Sequence, residues 1–139
     1  MKKYELTTEC KEFLGRKLYR IKALTFFSDV KEGDLGGWIE KEENLSQEGN
    51  TWVYGNAMVY GNAEIKKKTH LLEIGFIGSR DDVTTFFRTK NKEIFVKCGC
   101  FQGNIDDFEK KVQKVHADDK HGRVYALAIA MAREQIELD

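Results

Sequence analysis

Two cysteines and two histidines in the second half of the chain have the side chains best suited to chemistry. Cys98 and Cys100 flank one glycine, and His116 and His121 follow further along. These residue types bind zinc, although structural zinc sites usually place two or more residues between paired cysteines. A thiol activated by His116 could instead act as a nucleophile. Alternation along a strand equally suits cysteines that serve as small apolar core residues. This core interpretation is favoured, so no metal-binding or catalytic residue is assigned.

The segment 78–82, Gly-Ser-Arg-Asp-Asp, carries a different chemistry. Its backbone N–H groups, a hydroxyl and a guanidinium could together hold a phosphate or carboxylate group. Two nearby threonines and a histidine could complete a small polar pocket. The alternative is a tight turn with an Asp–Arg pair on the surface. The predicted ligand-binding residues are Ser79, Arg80, Thr84, Thr85 and His116, and no cofactor is predicted.

Alternating apolar residues predict three antiparallel strands around these positions. The alternating sets are Leu72, Ile74 and Phe76, then Val83, Thr85 and Phe87, then Ile94, Val96, Cys98 and Cys100. Asn104 suits the N-cap of a following helix. The apolar face of that helix would consist of Ile105, Phe108, Val112 and Val115.

A second helix is predicted from about residue 122 to residue 136. Apolar residues occur all around it between Val124 and Ala132, and such a helix must be covered on most sides. A small sheet cannot cover it alone. We therefore expect a homo-oligomer, a dimer or a trimer, or coverage by the preceding part of the chain.

Residues 53–65 repeat with a period of six. Val53, Val59 and Ile65 recur at this spacing, and Ala57 and Ala63 follow the two valines by four residues. Inward branched residues, small corner residues and Gly-Asn pairs predict a very short left-handed β-helix. The alternative is an ordinary hairpin with Gly-Asn turns. So short a coil would need a cover at each end or another copy of the chain.

Composition narrows the class of protein. The 23 basic and 23 acidic residues balance, which gives no general electrostatic reason to bind nucleic acid. No stretch approaches the roughly 20 apolar residues of a bilayer span, so we expect no membrane association and a place in the cytoplasm of a bacterial host cell. The three cysteines fit a reducing compartment.

The expected fold is a mainly β N-terminal part followed by a small α+β domain. Residues 1–40 would form an N-terminal strand and cap segment, and residues 41–68 the short hexapeptide-repeat β-helix. Residues 69–139 would form the C-terminal α+β domain, with three antiparallel strands and two helices.

The stretch 29–39, Asp-Val-Lys-Glu-Gly-Asp-Leu-Gly-Gly-Trp-Ile, the stretch 44–50 and the Tyr-Gly-Asn-Ala repeats resemble a family of proteins. These are bacterial and phage or prophage hexapeptide-repeat proteins labelled acyltransferases. The remainder resembles the C-terminal domain that accompanies such repeats. The resemblance implies a shortened, phage-associated accessory protein.

Together these observations lead to the hypothesis of a non-catalytic, oligomeric binding protein of phage or prophage type. It would inhibit a host defence component by binding a host protein or by sequestering a small anionic nucleotide. One alternative is an acyl-CoA-dependent acyltransferase, although such enzymes use a histidine base beside stacked coils and no histidine lies in the hexads. Another is a structural virion module that makes contacts through exposed Tyr54 and Tyr60.

Overall fold

A long antiparallel hairpin begins the chain in the computed structural model, which describes all residues from Met1 to Asp139. Strand β1 spans Tyr4–Phe13 and β2 spans Arg16–Ala23. The two residues between them, Leu14 and Gly15, both have positive φ, as tight hairpin turns with the right twist require. Strand β3, Leu35–Ile39, pairs antiparallel with β2. These elements belong to the first of two compact units, Met1–Lys68, and the second is Thr69–Asp139.

The first unit continues with parallel pairing. Trp38 of β3 lies opposite Met58 of β4, Met58–Val59, and an isolated parallel bridge joins Leu45 to Ile65. Both pairs join positions 20 residues apart. The six-residue period coincides with burial, because Val53, Val59 and Ile65 are all fully buried. The left-handed β-helix itself stays a prediction.

A buried amide holds one corner of this unit. Asn44 closes a 3-10 turn, Glu42–Asn44, and is fully buried. Its Nδ2 donates to the carbonyls of Gly61 and Ala63, both at 3.1 Å, and its Oδ1 accepts from the Glu40 and Lys41 backbone N–H groups. The side chain therefore ties the backbone at residues 40–44 to the backbone at residues 61–63.

Of the two tyrosines predicted to lie on the exterior, one is exposed. Tyr54 is 45% exposed and donates to Asp29 Oδ1 at 2.7 Å. Tyr60 is only 2% exposed, so the prediction that its side chain lies on the exterior is wrong. The reason is the hairpin: Phe13 packs edge-on against the Tyr60 ring, and the Arg16 guanidinium lies 5.3 Å from the ring centre.

The second unit contains an antiparallel sheet in the order β5-β6-β7-β8. The strands are Leu71–Ile77, Asp82–Arg88, Ile94–Cys98 and Phe101–Asn104, so there are four strands where the sequence predicts three. The predicted third strand ends at Cys98, and Gly99, with a φ of 58°, turns the chain. Cys100 is consequently exposed in the turn instead of facing the core.

Two helices follow, α1 at Ile105–Val115 and α2 at Lys120–Gln135. Asn104 caps α1 as predicted, with its Oδ1 accepting from the Asp107 backbone N–H at 2.8 Å. The apolar faces of both helices share one core with Phe86 and Val96 of the sheet. Val115, predicted on the buried face, is 56% exposed because it ends the helix. Neither helix is long and apolar enough to cross a bilayer.

Candidate functional site

A cleft of about 240 Å³ opens in the second unit where the turn after β5, the turn after β7 and the two helices meet. We call it the Tyr125 cleft. Cys98 and Cys100, the turn residues Ser79 and Arg80, and His116 all line it. The remaining lining residues are Ile77, Asp82, Gly99, Phe101, Phe108, Lys111, Val112, Val115 and Tyr125. The two groups of residues that the sequence singles out separately therefore meet in one place.

Tyr125 of α2 reaches into the turn after β5. Gly78 has a φ of 83°, and a Cβ added there would come within 1.9 Å of Tyr125 Oη. The absence of a side chain at Gly78 is therefore what lets the phenol approach the turn backbone. Burial raises the pKa of Tyr125 well above its ordinary value. The phenol is neutral at physiological pH.

A short chain of weak hydrogen bonds crosses the base of the cleft. The Thr84 hydroxyl donates to Cys98 Sγ at 3.2 Å, and the Cys98 thiol donates to Tyr125 Oη at 3.5 Å. Thr84 is buried beneath the cleft. These contacts fix the Cys98 side chain on the inner face of the sheet.

The charged groups of the cleft are mostly cationic. Arg80 and Lys111 each carry a positive charge, against one carboxylate at Asp82. His116 adds an imidazole, which packs on the Tyr125 ring with centroids 5.7 Å apart. Its Nδ1 lies 3.3 Å from Asp119 Oδ2. A cationic margin around an apolar interior favours an anionic ligand with an apolar body.

Asp119 connects the histidine to the second helix. It is the N-cap of α2, and its Oδ1 accepts from the Gly122 backbone N–H at 2.8 Å. This backbone hydrogen bond, with a further contribution from His116, holds the pKa of Asp119 below its ordinary value. The carboxylate therefore stays charged and orients the imidazole at the junction of the helices.

The structure brings together three of the five predicted ligand-binding residues. Ser79, Arg80 and His116 line the cleft. Thr84 lies one layer deeper, behind Cys98. Thr85 is buried on the opposite face of β6, because side chains alternate along a strand and Thr84 faces the cleft side. The predicted grouping of Thr85 with the other four is therefore not found.

Sequence reasoning missed Tyr125 and Lys111. Lys111 follows Phe108 by three residues on α1, so it borders the apolar face of the helix, and this spacing is a usable signal. Tyr125 gives no such signal, because the apolar residues around α2 do not reveal which of them meets the turn after β5.

Although Cys98, Cys100 and His116 share the cleft, the structure contains no cluster of three His, Cys, Asp or Glu residues arranged to hold a metal ion.

No protein-family model matches the chain. Part of it is similar to the uncharacterized acetyltransferase YdcK of Escherichia coli strain K12. The two are 44% identical over 62 residues, which cover 39% of this chain and 19% of that protein. The chain thus spans about a fifth of the length of this relative. The similarity supports the acyltransferase label that the sequence resemblance carries, and it has no bearing on a phage origin.

Proposed function

We propose that the protein is a non-catalytic binding protein, and that the Tyr125 cleft takes a small anionic molecule. The observation that carries the proposal is the convergence of Ser79, Arg80, Lys111 and His116 on one apolar cleft. Guanidinium, ammonium and hydroxyl groups are donors that phosphate and carboxylate oxygens accept from. Ser79 and Arg80 lie in the turn after β5, whereas Lys111 lies on α1 and His116 is the C-cap of that helix.

The size of the cleft limits the ligand. Its volume of about 240 Å³ lies just below the roughly 300–1,000 Å³ of pockets for drug-sized molecules. A mononucleotide or a smaller carboxylate or phosphate suits this space better than a whole acyl-CoA. The half-buried ring of Phe101 lines the cleft and provides an apolar surface for a flat ring. An anionic nucleotide is therefore the ligand class that we favour, and inhibition of a host defence component by sequestering such a nucleotide extends the same proposal.

The test is calorimetric titration of the protein with AMP, inorganic phosphate and adenosine. We expect AMP to bind and adenosine to bind at least about tenfold more weakly, since a charge-assisted hydrogen bond contributes roughly 1.5–3 kcal/mol. Arg80→Gln and Lys111→Gln should each weaken AMP binding by a similar factor. Lys110→Gln is the matched control, because Lys110 is an exposed neighbour on the same helix that does not line the cleft.

Two results would overturn the binding proposal. One is a wild-type protein that binds neither AMP nor phosphate. The other is an AMP affinity that is the same in Arg80→Gln, Lys111→Gln and the control variant Lys110→Gln. Circular dichroism at 222 nm reports the fold of the second unit, because both α-helices lie in it, and it should be unchanged in all three variants.

Acyl transfer is the second candidate, and the similarity to an acetyltransferase favours it. In such a reaction an acceptor amine or hydroxyl attacks the acetyl thioester and a base takes the acceptor proton. CoA leaves as a thiolate, which receives that proton from the base. The first unit contains no histidine, so the imidazole nearest to a cleft is His116. Chromatographic measurement of CoA released from acetyl-CoA tests this candidate. If the wild type releases CoA and His116→Gln abolishes this release, acyl transfer would be established in place of the binding proposal.

A further inference from the structure

The outer face of α2 is an exposed stripe with an unusual composition. Leu127 is 70% exposed and Met131 is 54% exposed, and Ala130 lies beside them, also exposed. Residues spaced by three and four lie on one face of a helix, so these three form one apolar surface. Large aliphatic side chains grouped in this way on a surface often mark an interaction site.

Charges of opposite sign lie at the two ends of this stripe. Lys120 and Arg123 precede Leu127 by seven and four residues, and Glu134 follows it by seven, so all of them continue the same face. All three are exposed. The Arg123 guanidinium donates to the Asp118 carbonyl, which keeps its charge at the N-terminal end of α2. The stripe is therefore basic at one end, apolar in the middle and acidic at the other end.

Such a surface is complementary to itself in one orientation. If a second copy of α2 lies antiparallel to the first, with a two-fold axis midway between positions 128 and 129, Arg123 lies opposite Glu134 of the second copy. The same operation places Leu127 opposite Ala130 of the second copy and beside Met131. A parallel arrangement would instead bring like charges together. Antiparallel helices also pair their macrodipoles favourably.

We propose that this stripe, defined by Lys120, Arg123, Leu127, Ala130, Met131 and Glu134, is the interface of a symmetric homodimer. The contact is isologous, which is the usual form of a two-fold interface. An interface centred on one helix of 16 residues falls at or below the roughly 1,200 Å² lower end of stable interfaces. The dimer is therefore weak, with a dissociation constant on the order of 10⁻⁴ M. The inference is independent of ligand binding in the Tyr125 cleft.

Sedimentation velocity between about 10 and 500 µM tests this proposal. Wild-type protein should show a concentration-dependent shift from monomer to dimer. Leu127→Gln combined with Met131→Gln should abolish the shift. Leu14→Gln is the apolar control, because Leu14 is similarly exposed but lies in the β1–β2 turn, and it should dimerise as the wild type does.

A charge exchange tests the antiparallel register. Arg123→Glu and Glu134→Arg should each weaken the dimer roughly five- to tenfold, because each reverses two symmetric ion pairs. The double variant restores both pairs and should dimerise within about twofold of the wild type. Lys114→Glu is the charge control on α1. A monomer at all concentrations, a dimer indifferent to the α2 variants, or a double variant no better than the single ones would overturn the proposal.

Discussion

Tyr125 and Gly78 fit together at the base of the cleft, where the phenol oxygen occupies the space that a Cβ on Gly78 would need. A residue of the second helix thus meets a turn that lies 47 positions earlier in the sequence. The contact holds the turn carrying Ser79 and Arg80 against α2. This close approach therefore contributes to the position of Ser79 and Arg80.

Gly78→Ala should destabilise the second unit by roughly 2–4 kcal/mol, since it adds both a steric clash and a strained φ. Gly99→Ala separates the two effects. Gly99 also has a positive φ, but nothing lies within 4 Å of an added Cβ, so it should cost only about 1 kcal/mol. Urea unfolding followed at 222 nm measures both. Equal costs for the two variants would contradict the proposed contact between Gly78 and Tyr125.

The three thiols should react at two distinct rates. Cys10 and Cys100 are exposed, whereas Cys98 is half-buried and hydrogen-bonded to Thr84 and Tyr125. We expect two fast thiols and one slow thiol with a disulfide reagent such as DTNB, because access controls thiol exchange. Cys98→Ser should remove the slow phase alone. If AMP occupies the Tyr125 cleft, saturating AMP should slow the reaction of Cys100 and leave the reaction rate of Cys10 unchanged. Equal rates for all three thiols would disagree with the structure.

Lys3 should make the first unit more stable as the pH rises above 8. Its Nζ donates to the Thr51 carbonyl at 2.7 Å, and burial lowers the pKa of Lys3 to about 8 from 10.5. Between these two pH values the unfolded chain binds more protons than the folded chain, so the free energy of unfolding increases with pH. Below pH 8 the folded state carries the full penalty of a charged buried amine, roughly 3 kcal/mol at most.

Lys3→Met removes this titration. Urea unfolding at pH 7 and pH 9.5, followed by tryptophan fluorescence, measures the first unit because Trp38 and Trp52 both lie in it. The wild type should gain stability relative to Lys3→Met between the two pH values. Lys31→Met, at an exposed position, should follow the wild type. If the stabilities of the wild type and Lys3→Met change in parallel with pH, the pKa of Lys3 is not lowered by folding.

Asn44→Ala should cost the first unit about 3 kcal/mol. Four hydrogen bonds end on this amide, and the substitution leaves buried backbone groups without partners. Asn56→Ala provides the control, since Asn56 is exposed in the first repeat and should change stability by less than about 0.5 kcal/mol. Tryptophan fluorescence again reports the unfolding. Similar losses in both variants would mean that the amide network contributes little.

The local features of this protein follow from neighbouring residues, and the sequence by itself determined them. The six-residue period singles out Val53, Val59 and Ile65, and all three are fully buried, because branched apolar side chains at a regular spacing favour burial. Asn104 and the apolar spacing after it define α1, since capping and helix periodicity act over a few residues. Ser79, Arg80 and His116 stand out by their chemistry alone.

Only the tertiary structure decided which of these features meet. Thr84 and Thr85 are adjacent in sequence, but the helices cover only one face of β6, so one threonine supports the cleft and the other lies on the opposite face. Tyr60 is buried because the hairpin covers it, and a repeat considered alone cannot show this. Tyr125 joins the cleft through contact with Gly78. Contacts between distant segments depend on packing of the whole unit, which no local pattern encodes.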